Sequence, residues 1–231
     1  MDIVKEHFEE EANEFDQIIV KLAPGYPEMV QALVSAIPHD PEAPIKVLDL
    51  GCGTGTIAKT VKERFPNAHI TCLDLAENMI EIAKAKLSAY ENTRYIVSDF
   101  ANCNFNEQYN VIISSLALHH LKTDDEKIAM YSKIYNSLAP GGAFYNADII
   151  LGASDFLQAL YLDKWKQSMR LSVSQEDIDN IWIPKYYTED HPSKIYDHLK
   201  WMEAAGFSNI DVIIKHYIGA VYGGIRTDTF S

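Results

Sequence analysis

The spacing of apolar residues along the chain changes near residue 45. Before that point, apolar side chains recur at helical intervals among polar ones, in residues 1–22 and again between Pro27 and Pro38. Pro27 suits the first position of a helix, and Pro38 stops one. We therefore expect one amphipathic helix over residues 1–22 and a second helix from Pro27 to Ile37.

From residue 45 onward, short apolar runs alternate with helical patterns. This alternation is typical of a parallel, doubly wound sheet with helices on both faces. Thr123 and Glu126 fit a capping box at the start of one helix, and Pro140-Gly141-Gly142 predicts the turn into the last strand of this region. The predicted strands cover residues 46–50, 69–74, 95–99, 111–115 and 143–150, and the predicted helices cover residues 57–65, 79–87 and 123–138.

Residues 151–192 interrupt the alternation. They have a helical pattern, are rich in aromatic residues and are longer than a crossover connection requires. We interpret them as a helical cap inserted over the carboxyl edge of the sheet. After the cap, we expect a helix over residues 193–205 that Gly206 terminates, and two final strands over residues 210–214 and 217–225.

The predicted organisation has two parts. Residues 1–44 form an N-terminal helical lid, and residues 45–231 form an α/β domain that contains the cap. A length of 231 residues suits one such domain with additions. The cap is rich in aromatic residues, which could line a ligand pocket or fill the core of the cap, and the sequence does not choose between these interpretations.

Charge narrows the range of partners. The chain has 20 Lys and Arg residues against 33 Asp and Glu residues, a formal net charge of −13. Because nucleic acids and anionic membranes attract basic surfaces, this charge disfavours both as general partners. The three cysteines form no C-x-x-C pair, and we find no signal peptide or membrane-length apolar run. We therefore expect a cytoplasmic protein with reduced thiols and no membrane partner.

Candidate chemistry is concentrated after the first predicted strand, in the loop Gly51-Cys52-Gly53-Thr54-Gly55. Ligands of doubly wound sheets bind outside the carboxyl ends of the strands, and glycines let the backbone approach them closely. The G-x-G-x-G spacing is one residue shorter than the dinucleotide motif, and the Lys-Ser/Thr ending of a phosphate-binding loop is absent. Both observations disfavour a nicotinamide dehydrogenase and a nucleotide hydrolase.

Acidic residues end the first three predicted strands at this edge. Asp74 follows the glycine loop by about 20 residues, a position from which a carboxylate accepts hydrogen bonds from ribose hydroxyls. Asp99, with Phe100 beside it, is placed to meet the edge and face of an adenine ring. Together with Asp49, these residues predict a nucleoside site.

The motifs resemble those of the class I S-adenosylmethionine-dependent methyltransferases. The resemblance covers residues 45–150, with four motifs in the family's order: Val47 to Gly55, Leu73-Asp74, Ser98-Asp99-Phe100 and Leu138-Ala139-Pro140-Gly141-Gly142. It implies a Rossmann-like seven-stranded mixed sheet whose last strand is antiparallel, and S-adenosyl-L-methionine as the cofactor.

The resemblance also implies roles for individual residues. The methionine half of the cofactor would face Asp49, Gly51, Gly53 and Gly55. Asp74 would hold the ribose, Met79 would pack on the adenine, and Asp99 with Phe100 would bind its edge and face. Further expected cofactor contacts are Cys52, Leu75 and Ser115.

A narrower set of motifs is similar to the family that makes carboxymethoxyuridine at the tRNA wobble position with carboxy-S-adenosylmethionine. The motifs are Glu14-Phe15-Asp16, Pro24-Gly25-Tyr26 and residues 200–207, and they imply that Tyr26 contacts the cofactor. The chain departs from this family at two positions, with Trp201 in place of the carboxylate-binding Arg and Ser115 in place of an Asn. An apolar ring cannot replace a guanidinium on a carboxylate, so ordinary S-adenosylmethionine is favoured.

Methyl transfer from a sulfonium needs mainly the correct positioning of the acceptor, and a base only where the acceptor must lose a proton. His119 and His120 follow the fourth predicted strand and are the candidates for catalysis, although a purely structural turn is the favoured explanation for them. The remaining histidines have no metal-ligand spacing, so no metal is expected.

The leading hypothesis is a methyltransferase that acts on a small molecule. A carboxymethyl or methyl transferase acting on tRNA is the first alternative, and it requires that basic residues of the cap converge near the pocket: Lys164, Lys166, Arg170 and Lys185. A non-catalytic S-adenosylmethionine-binding module is the second. The expected partners are a small-molecule acceptor and, in a homodimer, a second copy of the chain.

Overall fold

A seven-stranded sheet forms the centre of the computed structural model, which describes residues 2–12, 14–105 and 107–227. The strands are β1 (Lys46–Leu50), β2 (His69–Asp74), β3 (Thr93–Val97), β4 (Tyr109–Ser115), β5 (Leu138–Ile149), β6 (Ser208–His216) and β7 (Gly219–Ile225). Their order across the sheet is β3-β2-β1-β4-β5-β7-β6. The first five strands are parallel, and β7 runs antiparallel between β5 and β6. The predicted α/β fold with an antiparallel last strand is confirmed.

Helices cover both faces of this sheet. Before and within the parallel part lie α1 (Asp2–Glu11), α2 (Phe15–Leu22), α3 (Tyr26–Ser35), α4 (Thr56–Arg64), α5 (Glu77–Lys86) and α6 (Asp124–Ser137). After β5 come α7 (Asp155–Met169), α8 (Gln175–Asp177), a π-helical turn (Ile178–Trp182), α9 (Ile183–Glu189) and α10 (Ile195–Ala205). One core cluster packs α3, α4 and α5 on one face, and another packs α6 and α10 on the other. Among the helices of the described residues, none combines the length and apolar character that a membrane crossing needs.

The N-terminal segment differs from the expected single helix. Instead of one helix, the described residues contain two, α1, which ends at Glu11, and α2, which begins at Phe15. This separation lets α1 turn onto the start of α5, where the Glu9 carboxylate accepts hydrogen bonds from the backbone N–H groups of Glu77 and Asn78, each at 2.8 Å. A single straight helix over these residues could not both place Glu9 at the start of α5 and place Phe15–Leu22 beside the glycine loop.

The fifth strand also begins earlier than the sequence indicates. It starts at Leu138 and includes the Pro140-Gly141-Gly142 turn, with a register shift in its pairing to β4. Backbone hydrogen bonds explain the extension, because Gly141 N–H donates to Arg226 O, and Arg226 N–H donates to Gly142 O, each at 2.8 Å. The antiparallel partner strand thus holds the turn in the sheet.

A chain of buried polar side chains runs from the carboxyl end of β5 to α10. The Asn146 amide donates to the Asp148 carboxylate at 3.2 Å and to the Tyr222 hydroxyl at 2.9 Å. Tyr222 contacts the Tyr131 hydroxyl at 3.1 Å, and Tyr131 is hydrogen-bonded to His198 Nδ1 at 2.7 Å. Burial lowers the pKa of His198 to about 4, so its ring is neutral at pH 7. This network satisfies most of the polar groups buried here, although Asn146 Oδ1 has no partner among the described residues.

Replacing Tyr222 by Phe removes the hydroxyl on which the Asn146 amide and Tyr131 converge. We expect the free energy of unfolding to fall by about 1–3 kcal/mol, the usual result of leaving buried polar groups unpaired. Urea denaturation measures it. Tyr187→Phe is the matched control because its ring is 64% exposed, and it should change stability by less than about 0.5 kcal/mol. Equal stability of the two variants would show that the buried chain does not stabilise the fold.

Candidate functional site

The glycine loop between β1 and α4 is fixed to the end of β2. Gly51 N–H and Cys52 N–H both donate to Leu73 O, at 2.8 and 3.0 Å. Gly53 N–H donates to Asp74 Oδ2 at 2.8 Å. The parallel pairing of β1 and β2 brings these groups together, so the loop wraps around the Asp74 carboxylate.

The glycines of the loop are required by its conformation. Gly51, Gly53 and Gly55 have φ values of +67°, +52° and +80°, in the left-handed region that favours glycine. A Cβ atom at Gly51 would lie 2.4 Å from the Cβ of Ala117. The backbone therefore approaches the segment after β4 more closely than any other residue would permit.

A cleft opens above this loop. Ten of the predicted site residues line it: Tyr26, Gly51, Cys52, Gly53, Asp74, Leu75, Met79, Phe100, Ser115 and His120. Seven further lining residues were not predicted: Phe8, Phe15, Thr54, Thr56, Ile57, Leu116 and Ala117. Local motifs could have indicated Thr54 and Thr56, which belong to the glycine loop and its helix.

Four predicted site residues do not line this cleft. Gly55 packs toward α5, where an added Cβ would lie 3.1 Å from Ala83 Cβ. The Asp99 carboxylate accepts hydrogen bonds from Ala101 N–H at 2.8 Å and from the Asn102 side-chain amide at 2.9 Å, so it closes a local turn. The other two are Asp49, which lies beneath the loop, and His119, which lines a neighbouring chamber. A ligand contact by Asp99 stays a prediction.

Unpartnered buried oxygens lie at the β1 and β4 side of the loop. Asp49 is 1% exposed, and its Oδ2 has no hydrogen-bond partner among the described residues; the same holds for Ser115 Oγ. Burial and the nearby Asp74 charge raise the pKa of Asp49 to about 7. Burial likewise raises the pKa of Tyr26 well above its ordinary value, so its phenol stays protonated. A cationic ligand group such as an ammonium would complete this set of acceptors.

The lid is held on the cleft by one carboxylate of α2. Asp16 accepts hydrogen bonds from the Thr54 and Thr56 hydroxyls at 2.5 and 3.2 Å, and its other oxygen lies 2.6 Å from Lys86 Nζ. Although partial burial opposes the charge, Lys86 and the hydroxyls hold the pKa of Asp16 below its usual value. Asp16 therefore stays ionised and links α2 to the glycine loop and to α5.

A second chamber of about 810 Å³ adjoins the cleft. The two share Phe8, Phe15, Leu116 and His120 as walls. The remaining apolar lining comes from α2, β5 and the cap: Ile18, Ile19, Leu22, Ala23, Ile149, Trp165, Trp182 and Tyr186. Three aromatic residues of the cap, Trp165, Trp182 and Tyr186, therefore line a chamber. For these three, the question whether the cap's aromatic residues line a pocket or fill its core is answered. Trp201 does not line the chamber, and its ring lies 5.3 Å from the ring of His198 on α10.

The other end of the chamber is polar. Its polar lining consists of His7, His119, His120, Lys185, Glu189 and Asp190.

The adjacent histidines His119 and His120 differ in charge. His119 is buried, which opposes protonation, yet the Asp148 and Asp190 carboxylates raise its pKa to about 10. Burial and the charge on His119 lower the pKa of His120 to about 3. At pH 7 a cationic ring and a neutral ring therefore stand side by side.

Comparisons with known proteins agree with the cleft and the fold. Residues 47–142 match the family described as a methyltransferase domain. Malonyl-[acyl-carrier protein] O-methyltransferase 1 of Ilyobacter polytropus is 33% identical over 104 residues, which cover 45% of this chain and 38% of the relative. Carboxy-S-adenosyl-L-methionine synthase of Campylobacter lari is 23% identical over 227 residues, 92% of each chain.

Solved structures share the fold. Human N-acetylserotonin methyltransferase in complex with S-adenosylmethionine superposes with a TM-score of 0.59 at 20% identity, over 86% of this chain and 52% of that one. Residues 47–142 thus match a methyltransferase domain, and the chain shares the fold of these S-adenosylmethionine-dependent methyltransferases. The chain spans less than two thirds of the length of the malonyl-[acyl-carrier protein] O-methyltransferases that it resembles.

The pKa of Asp49 predicts how cofactor affinity depends on pH. Below pH 7 its carboxyl is protonated, and a ligand ammonium favours the ionised form, so binding must release that proton. We expect the affinity for S-adenosylhomocysteine to fall between pH 7.5 and 5.5, by up to about tenfold per unit well below the pKa. Calorimetry measures it. Asp49→Asn cannot titrate and should give a flat profile, whereas an equally steep profile in that variant would contradict the assignment.

Proposed function

We propose that the protein transfers the methyl group of S-adenosylmethionine to a small-molecule acceptor held in the second chamber. The observation that carries this proposal is that the cleft and the chamber adjoin each other and share four lining residues. Leu116 and His120 form a common wall of the cleft and the chamber, and Phe8 and Phe15 close both from the lid. A nucleoside ligand in one space and an acceptor in the other would meet at that wall.

The residues of the cleft fit the proposed cofactor. Each oxygen of the Asp74 carboxylate accepts one backbone hydrogen bond, from Gly53 N–H at 2.8 Å and Ala76 N–H at 2.9 Å. Each oxygen retains acceptor capacity, which suits the two hydroxyls of a ribose. Met79 and Phe100 supply apolar surface for the base. Asp49 does not line the cleft, but its buried, unpartnered Oδ2 would attract the ammonium electrostatically. When bound, the cofactor would supply an electrophilic methyl group on a good leaving group.

The chain's own contribution to the reaction would be positioning and the exclusion of water. Aligning an acceptor with the reacting group can lower a barrier by about 7–11 kcal/mol. Phe8, Phe15 and Leu116 are the apolar residues at the junction, and His120 is the polar one. Because His120 is neutral, it can donate a hydrogen bond to the methyl-acceptor molecule or accept one from it. Its pKa of about 3 makes it a weak base.

The acceptor would be a compact, partly apolar molecule. Trp165, Trp182 and Tyr186 offer ring faces, and the polar end of the chamber can hold an oxygen or nitrogen group. The named acceptor of the curated O-methyltransferase relatives, a malonyl-[acyl-carrier protein], is not carried over. Their similarity covers less of this chain, and the family match ends at residue 142, before the cap that forms much of the chamber.

A carboxylated cofactor is the second candidate, because the similarity to the carboxy-S-adenosylmethionine synthase extends over 92% of both chains. The lining of the cleft favours the ordinary cofactor, since none of the described residues around it is Lys or Arg. Of the four basic cap residues that an RNA substrate would require, only Lys185 is among the chamber's lining residues. Mass spectrometry of ligand co-purified with the protein separates the two cofactors by mass.

Binding of S-adenosylhomocysteine tests the cleft assignment. We expect calorimetry to show one site per chain, and Asp74→Asn to weaken it by about 10- to 100-fold, because hydrogen bonds to a charged group contribute about 1.5–3 kcal/mol. Asp40→Asn, in an exposed loop, is the matched control and should leave affinity unchanged. No binding, or equal binding by both variants, would remove this ligand from the cleft.

Transfer itself is tested with methyl-labelled S-adenosylmethionine and a metabolite extract. A labelled small molecule supports the proposed enzyme and identifies the acceptor. Label in RNA or in protein would favour those acceptors instead. Tight cofactor binding without any transfer would favour the non-catalytic module.

A further inference from the structure

We propose that His119, His120 and Asp190 form a binding site for one divalent transition-metal ion, of the Zn²⁺ type, at the polar end of the chamber. One ring nitrogen of each histidine and one oxygen of Asp190 lie within 4.8 Å of one another. All three residues line the chamber. The two histidines are neighbours in the turn after β4, and Asp190 lies at the end of the cap. No local sequence motif therefore predicts this group of three residues.

The separations suit a shared ion. Asp190 Oδ1 lies 3.4 Å from His119 Nε2 and 3.6 Å from His120 Nδ1. Bonds of about 2.0–2.1 Å to a tetrahedral ion place its ligands about 3.3–3.4 Å apart. The ion would replace the proton through which His120 Nδ1 contacts Glu189 O at 3.2 Å, with an accompanying adjustment of the His120 ring. Two imidazoles with one carboxylate favour a transition metal over Mg²⁺ or Ca²⁺, which prefer oxygen ligands.

The surroundings of His119 are those of a metal-ligating imidazole. Its Nδ1 lies 2.5 Å from Asp148 Oδ1, which leaves Nε2 directed at Asp190. A buried carboxylate on the far nitrogen fixes the ring orientation and raises its basicity as a ligand. Asp148 is held in turn by the Asn146 amide at 3.2 Å and by Ile149 N–H at 2.9 Å.

Backbone contacts fix Asp190 against the histidine turn. His191 N–H donates to His119 O at 2.9 Å, and His120 Nδ1 is 3.2 Å from Glu189 O. Lys127 Nζ donates to His191 O and to Ser193 Oγ, at 2.5 and 2.9 Å. The residues on both sides of Asp190 are therefore anchored, and its carboxylate is held beside the two histidine rings before any ion binds.

The coordination number supports the same occupant. Three protein ligands leave a tetrahedral ion one open position toward the chamber, the arrangement of catalytic rather than structural sites. An oxygen or nitrogen atom of the acceptor would fill it, a step that rests on the proposed function, whereas ion binding does not.

Titration of untagged, chelator-treated protein with Co²⁺ and Zn²⁺ tests the site. We expect one ion per chain, with Co²⁺ giving visible absorption bands of tetrahedral coordination and Zn²⁺ displacing it. Asp190→Asn and His120→Gln should each weaken binding at least tenfold. His191→Gln is the matched control, since its side chain is outside the set, and it should bind like the unmodified chain.

Several results would overturn the proposal: no binding, equal affinity in Asp190→Asn and the control, or intense thiolate-to-cobalt absorption, which would indicate cysteine ligands. Circular dichroism identifies a variant that fails to fold, and the other variant then decides. Binding of S-adenosylhomocysteine, measured on the same samples without metal, keeps the two proposals separate. Cofactor binding without metal binding rejects only the metal site, and the reverse rejects only the proposed function.

Discussion

The arrangement of the site depends on one carboxylate of the lid. Asp16 binds Thr54 and Thr56 of the glycine loop and Lys86 of α5, and so fixes α2 over the carboxyl edge of the sheet. The far end of α2 is fixed as well, because Trp165 of the cap donates from Nε1 to Leu22 O at 2.6 Å. With α2 held at both ends, one side of the lid closes the cleft and the other forms a wall of the chamber.

This arrangement also changes the interpretation of the protein's acidity. The N-terminal acidic residues appear in the sequence as a solvated face, yet two of them make specific contacts. Glu9 caps the start of α5, and Asp16 binds the glycine loop. Part of the acidic charge at the N-terminus therefore attaches the lid to the rest of the fold.

Local motifs predicted many of the residues that line the cleft. The glycine loop and Asp74 are encoded within a few residues of strand ends, and Thr123 forms the expected capping box with Glu126. The polar end of the chamber could not be predicted from local motifs. Asp190 and His119 are some seventy residues apart in the sequence, and the path of the cap brings them together. The spacing of apolar residues also did not predict that α1 and α2 are separate helices. Their separation allows a tertiary contact of Glu9 and does not alter the apolar spacing.

The most direct test of this account measures how fast S-adenosylhomocysteine leaves the protein when the lid contact is weakened. Lys86→Ala removes the cation that binds Asp16, while Lys84→Ala removes a cation of the same helix that pairs only with Glu81 among the described residues. With a lid contact of about 1 kcal/mol, stopped-flow dissociation should be about fivefold faster in Lys86→Ala and unchanged in Lys84→Ala. Equal dissociation rates in the two variants would show that the lid does not hold the cleft closed.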